Sequence, residues 1–271
     1  SNNTAVGYAS LNANTTGHEN SALGRNSLAA NTTGQHNTGT GDSVLASTTT
    51  GSYNTAFGSA ALYNNTTASN NTAVGYSVLL TNTTGSENTG LGHNALYGTT
   101  TGTGNTGIGQ GALQTNTTGA TNTAVGQGSL ALNTTASDNS AFGKNALAAN
   151  TTGAGNVAVG RSSLTANTTG ASNVAVGALA LDANTTASSS VAVGNGALGA
   201  NTVGSYSVAI GFSALAAQNP ASASASFNTA VGTEAGKAVT TGIQNTLIGA
   251  LAGDAITTGS QNTSLGYASL G

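Results

Sequence analysis

Apolar and polar positions along this chain repeat with a period of seventeen residues. The consensus copy reads N-T-A-V-G-x-x-A-L-x-x-N-T-T-G-x-x, numbered as positions 1 to 17, with position 1 at Asn3, Asn20, Asn37 and onward, Ser190 and Ser207 being the exceptions. The position-5 glycine recurs every 17 residues from Gly7 to Gly211; after one step of 21 to Gly232, Gly249 and Gly266 resume the period. Position 4 is apolar in every copy except at Thr40. Position 9 is leucine from Leu11 to Leu215, then Gly236 and Gly253, then Leu270. One repeat domain therefore covers 1–271, with a four-residue insertion within 218–227, around the only proline, Pro220, and a variant repeat subtype in 228–271.

Asn, Thr and Gly are poor residues for a helix interior, and every copy is broken by glycine at position 5 and most again at position 15. The T-A-V run at positions 2 to 4 alternates faces as a strand does and is bounded by turn-forming Asn and Gly. A second short extended segment is expected at positions 8 and 9, with T-T-G turning the chain back. One copy has at most two large apolar side chains, too few to offset roughly 1–2 kcal/mol of backbone entropy per residue. Stacking supplies the missing burial, because equivalent residues then form ladders. The predicted fold is all-β: a parallel β-solenoid, or β-roll, of about sixteen 17-residue coils. Asparagine ladders are expected at positions 1 and 12 and apolar ladders at 4 and 9. At about 4.8 Å per coil the stack would reach roughly 75 Å.

If position 4 points inward, position 3 points outward, and it is Ala or Gly in fourteen of sixteen copies, Leu247 and Ser264 being the exceptions. A water-facing position would vary, as position 6 does. The restriction predicts close approach by another copy of the chain. A parallel homotrimer is the preferred arrangement, and the geometry also admits a dimer.

The string Ser207-Val208-Ala209-Ile210-Gly211 resembles the core motif of YadA-type trimeric autotransporter adhesin heads. The commoner N-T-A-V-G-Y-x-x-L-x-x-N-T-T-G form is similar to related repeats of surface adhesins and phage tail fibres. The resemblance covers the whole chain, although the adhesin-head repeat is shorter. It implies a left-handed β-roll, three chains per particle, and an extracellular place on a cell surface or virion fibre. No neck, coiled-coil stalk or membrane anchor pattern lies within these residues. The chain begins and ends inside the repeat, as a piece of a longer protein would. Uncapped solenoid ends are open edges, so end-to-end polymerisation into a filament is a further expectation.

Composition narrows the functions. Charged residues make up 4% of the chain against 37% apolar ones, and the net charge is −3. Four basic residues cannot neutralise a phosphate backbone, so nucleic acid is not an expected partner. No apolar run approaches the roughly 18 residues of a membrane helix, so no membrane insertion is expected in this segment. Without cysteine there is no disulfide framework. The spacing of His18, His36 and His93 fits no metal motif, and they are expected as exposed loop residues; Asp42, Asp138, Asp182 and Asp254 do not recur in register as repeating calcium sites would. G-x-G strings such as Gly107-Ile108-Gly109 belong to the repeat and precede no helix. No acid–histidine–nucleophile set is apparent. No catalytic, cofactor or metal residues are assigned, and the chain is not expected to be an enzyme.

Variation is concentrated in the position-6 column, where Tyr8, Arg25, Tyr76, His93, Lys144 and Arg161 form the candidate partner-binding surface, for a host-surface glycan or protein. Simple solvation of that column is the competing reading. The sequons at Asn14, Asn31, Asn65, Asn82, Asn116, Asn133, Asn150, Asn167 and Asn184 could carry sugars in a glycosylating system; turn and ladder hydrogen bonds explain the same residues. The expected function is a structural or adhesive extracellular fibre segment. The alternative is an ice-binding solenoid using ordered Thr at positions 13 and 14. Those threonines lie beside a turn glycine, however, and a flat array calls for an outward T-x-T strand.

Overall fold

A computed structural model describes residues 2–271. The chain comprises two compact units, Ser1–Ala136 and Ser137–Gly271. The first contains β1 (Thr4–Val6), β2 (Ser21–Leu23), β3 (Thr38–Thr40), β4 (Thr55–Phe57), β5 (Thr72–Val74), β6 (Thr89–Leu91), β7 (Thr106–Ile108) and β8 (Thr123–Val125). The second contains β9 (Ser140–Phe142), β10 (Val157–Val159), β11 (Val174–Val176), β12 (Val191–Val193), β13 (Val208–Ile210), β14 (Thr229–Val231), β15 (Thr246–Ile248) and β16 (Thr263–Leu265). Within each unit consecutive strands pair in parallel with the register of the repeat, Thr4 opposite Ser21 and Val157 opposite Val174. Among the described residues there is no helix. The fold is a parallel β-solenoid.

The strand faces are the reverse of the sequence expectation. Position 3 points inward: Ala56, Ala73, Ala124, Ala158 and Ala209 are completely buried. Position 4 points outward, leaving Leu23, Phe57, Leu91 and Phe142 exposed. The restriction of position 3 to Ala and Gly therefore arises inside the chain and gives no support to a second copy. The cause is space. In most coils the interior already holds a position-9 leucine, the residue of position 8 and asparagine side chains at positions 1 and 12. A Cβ on Gly39 would lie 2.8 Å from Ser27 Oγ and 3.2 Å from Val44 Cγ1. Only a methyl group or less fits there.

The second expected strand is also absent. Positions 7, 9 and 17 adopt the left-handed conformation, as at Asn26 (φ 55°), Leu28 (φ 51°) and His36 (φ 55°). These single residues turn the backbone and reverse its hydrogen-bonding direction. Asn26 N–H donates back to Tyr8 O at 2.8 Å, whereas Leu28 N–H donates forward to Val44 O at 2.9 Å. Coil-to-coil bonding thus continues without a second sheet. A left-handed leucine is unfavourable in isolation by roughly 1–2 kcal/mol, and burial of its side chain, about 1.5–3 kcal/mol, offsets that.

Two buried amide ladders run through the coils. At position 1, Asn54 Nδ2 donates to Ala68 O at 2.9 Å, and Asn54 Oδ1 accepts from Asn71 N–H at 3.1 Å. At position 12, Asn82 Nδ2 donates to Gly85 O at 2.9 Å and to Asn65 Oδ1 at 3.0 Å. Each amide closes its own turn and binds a neighbouring coil, which reconciles so polar an interior with burial.

The variant subtype exchanges large and small positions. Gly236 and Gly253 take the left-handed place of leucine, and a Cβ on them would meet Leu247 Cδ1 at 2.6 Å and Leu247 Cδ2 at 2.7 Å. Leu247 stands where other coils carry Ala, and Val239 and Ile256 stand where they carry Asn. The insertion is accommodated by Gln218 at position 12, whose longer side chain donates to Ser207 Oγ at 3.0 Å and accepts from Asn228 Nδ2 at 2.9 Å.

Candidate functional site

Because residues 17 apart are stacked, each outward column forms its own side-chain contacts. In the position-6 column Arg25 and Asp42 form a bidentate pair, Nε to Oδ1 at 2.8 Å and Nη2 to Oδ2 at 3.1 Å. The hydrogen bond from Arg25 holds the Asp42 carboxyl below its ordinary value. Tyr76 and His93 stack with ring centroids 5.5 Å apart and 9° between planes. Tyr8 is 80% exposed. Lys144 and Arg161, on adjacent coils of the second unit, are exposed and form no ion pair among the described residues. In the position-17 column His36 lies flat on Tyr53, centroids 4.8 Å apart, with His18 edge-on to His36 at 5.7 Å.

The structure brings Tyr76 together with residues that the position-6 reading overlooked. A groove of about 750 Å³ crosses four coils of the first unit, lined by Tyr76 of position 6 and by Tyr63, Leu80, Tyr97 and Gln114 of position 10. Ala60, Ser77 and Asn94 of position 7 and Asn64 also line it. No residue lining it is charged. Three tyrosine faces with the amides of Asn64, Asn94 and Gln114 suit a neutral polyhydroxylated ligand: rings pack on C–H faces, and amides exchange hydrogen bonds with hydroxyls. The sequence signal was the variability of position 10, where Tyr63 and Tyr97 recur two coils apart. Arg25, Lys144 and Arg161 lie outside this groove.

The sequon asparagines face inward. Asn31, Asn65, Asn82, Asn116, Asn133, Asn150, Asn167 and Asn184 are completely buried, and Asn14 Nδ2 donates to Gly17 O at 3.0 Å. A glycan on any of these nitrogens is incompatible with the packed coil, which corrects the sugar-bearing reading in favour of the ladder.

Asp182, at position 10 of the second unit, is a partly buried acid whose carboxyl is raised by desolvation against the lowering effect of the Asp182 and Ala183 backbone amides. A raised carboxyl favours the protonated folded state, so its contribution to stability falls as pH rises through the folded value. Asp182→Asn is expected to remove that pH dependence and to match or exceed the parent's stability at pH 7, measured by urea denaturation across an acid-to-neutral pH series.

No protein-family model matches the chain, and a search of curated proteins finds no match.

Proposed function

We propose that this chain is a structural and adhesive segment of an extracellular fibre, on a cell surface or a virion, that self-associates through the outward face of its strands, with a homotrimer as the preferred assembly. The observation that carries this is the position-4 column: apolar in all copies but one, yet turned to solvent, with Val6, Leu23 and Leu91 exposed at 55%, 51% and 45%. β-propensity accounts for Val and Ile at a strand position; it does not account for Leu23, Leu91 and Leu265. Contiguous exposed apolar surface marks an interaction site, and each copy offers the same stripe to another. The tyrosine groove and the position-6 column would then face outward as the surface for a glycan or protein. The likeness of Ser207–Gly211 to adhesin-head repeats agrees with this reading.

Native mass measurement tests the assembly. The parent chain is expected to run as a trimer, and Phe57→Lys with Leu91→Lys is expected to shift it toward monomer with the solenoid circular-dichroism signal intact. A monomeric parent overturns the self-association. A glycan array probed with the parent and with Tyr63→Ala/Tyr97→Ala tests adhesion; binding to no glycan, or equal binding by both, removes the groove from the proposal.

One observation favours the ice-binding alternative. Position 2 also points outward, and in the first unit it is Thr in seven of eight strands, Ser21 being the exception. The outward pair is therefore T-x-V or its equivalent on a ladder of about 4.8 Å spacing, with Thr38 and Thr40 forming the T-x-T case. Strong thermal hysteresis by the purified chain would install this reading in place of the first.

A further inference from the structure

The side chains of His18, Glu19 and His36 converge on one another although no linear motif joins them. Glu19 and His36 both occupy position 17 of consecutive coils, so the period places one over the other, and His18 adjoins Glu19 in sequence. The backbone fixes this neighbourhood: His36 N–H donates to His18 O at 3.2 Å. The Glu19 carboxylate lies between two imidazoles, with Oε2 2.8 Å from His36 Nδ1 and Oε1 3.9 Å from His18 Nδ1. One ligand atom from each of the three residues lies within 4.8 Å of the other two.

We propose that His18, Glu19 and His36 form a binding site for a single borderline transition-metal cation of the Zn²⁺ class, clipping the first coil to the second. Tetrahedral zinc holds nitrogen and oxygen ligands at about 2.0–2.1 Å, which places two ligand atoms about 3.3 Å apart. The two nitrogen–oxygen separations, one to each carboxylate oxygen, bracket that spacing, and with the three ligand atoms within 4.8 Å of one another side-chain rotation can draw them around one ion. The side chains are 45%, 48% and 37% exposed, so the ion has an open approach and leaves its fourth position to water. Stacking on Tyr53 fixes the plane of the His36 ring. Two imidazoles and one carboxylate select a transition metal over Ca²⁺ or Mg²⁺, which require mostly oxygen.

Calorimetric titration of the full chain with Zn²⁺ in metal-free buffer tests the site, with Cu²⁺ electron paramagnetic resonance as a second readout. One Zn²⁺ per chain is expected, and two nitrogens in the copper spectrum. His36→Asn and Glu19→Gln are each expected to weaken binding by at least about tenfold, whereas His93→Asn leaves it unchanged. Both variants are compatible with the coil, because Asn70 and Gln244 occupy the same left-handed position in other coils. Unaltered circular-dichroism melts would verify that they fold. No heat at millimolar Zn²⁺, a spectrum with one nitrogen, or binding unaffected by both His36→Asn and Glu19→Gln overturns the proposal.

Discussion

Gly109→Ala is expected to destabilise the first unit by about 2–6 kcal/mol, combining backbone strain of about 1–3 kcal/mol with an overpacking cost of similar size. Gly109 has φ +124°, a conformation that L side chains rarely adopt. A Cβ there would lie 2.7 Å from the carbonyl carbon of Gly126, 2.8 Å from its oxygen and 3.1 Å from Gln127 N. These are backbone atoms of the next coil, and they cannot withdraw, because Gly126 N–H is bound to Ile108 O at 2.8 Å. The substitution must therefore spread the stack or break its ladder. Gly155 provides the contrast: it has φ +69°, and the nearest atom to its added Cβ is Ser172 Oγ at 3.8 Å. Gly155→Asn is expected to stabilise by about 0.4–1 kcal/mol by restricting the unfolded chain, since Asn tolerates the left-handed region. Urea denaturation with hydrogen exchange resolved by coil measures both. Equal stability of Gly109→Ala and the parent would contradict the coil-to-coil contact described.

Asn88→Ala is expected to cost about 2–6 kcal/mol, because it leaves buried polar groups unpaired at about 1–3 kcal/mol each. Asn88 Nδ2 donates to Gly102 O at 2.9 Å, and Asn88 Oδ1 accepts from Asn105 N–H at 2.9 Å and from Asn105 Nδ2 at 3.1 Å. Alanine removes all three bonds from a site that water does not reach. Serine should be milder. Ser190 stands in the same column, and its Oγ accepts from Ser207 N–H at 3.3 Å. The expected order of stability is parent, Asn88→Ser, then Asn88→Ala, and the Asn105 amide should lose exchange protection in the alanine variant. Equal protection of that amide in parent and alanine variant would remove the ladder as a source of stability. In a solenoid each coil is stabilised by its neighbours, so loss of protection is expected to extend to the adjoining coils.

The groove and the cation cluster show how much of a candidate site a repeat sequence can reveal. Tyr76 was legible as an exposed, variable residue, but Tyr63 and Tyr97 lie at a different position of the repeat and join it only across the left-handed turn at positions 7 and 9. His18 and His36 are eighteen residues apart, a spacing without meaning in a linear motif. The period makes them neighbours, so the cluster was recoverable by comparing each residue with those 16 to 18 positions away.

By itself the sequence determined the period, the parallel register of Thr4 on Ser21 and its successors, the leucine and asparagine ladders, and the place of the insertion. All of these follow from repetition, since identical coils stacked in register must place like on like. It did not determine which face of each three-residue strand is the inside, because alternation defines two faces without saying which is covered. Tertiary structure decided that through volume: with Leu96 and the asparagines filling a narrow coil, Gly107 and Ala124 fit inward and Ile108 and Val125 are turned away from the core. The same rule explains why Leu247 enters the core where Gly236 and Gly253 vacate it.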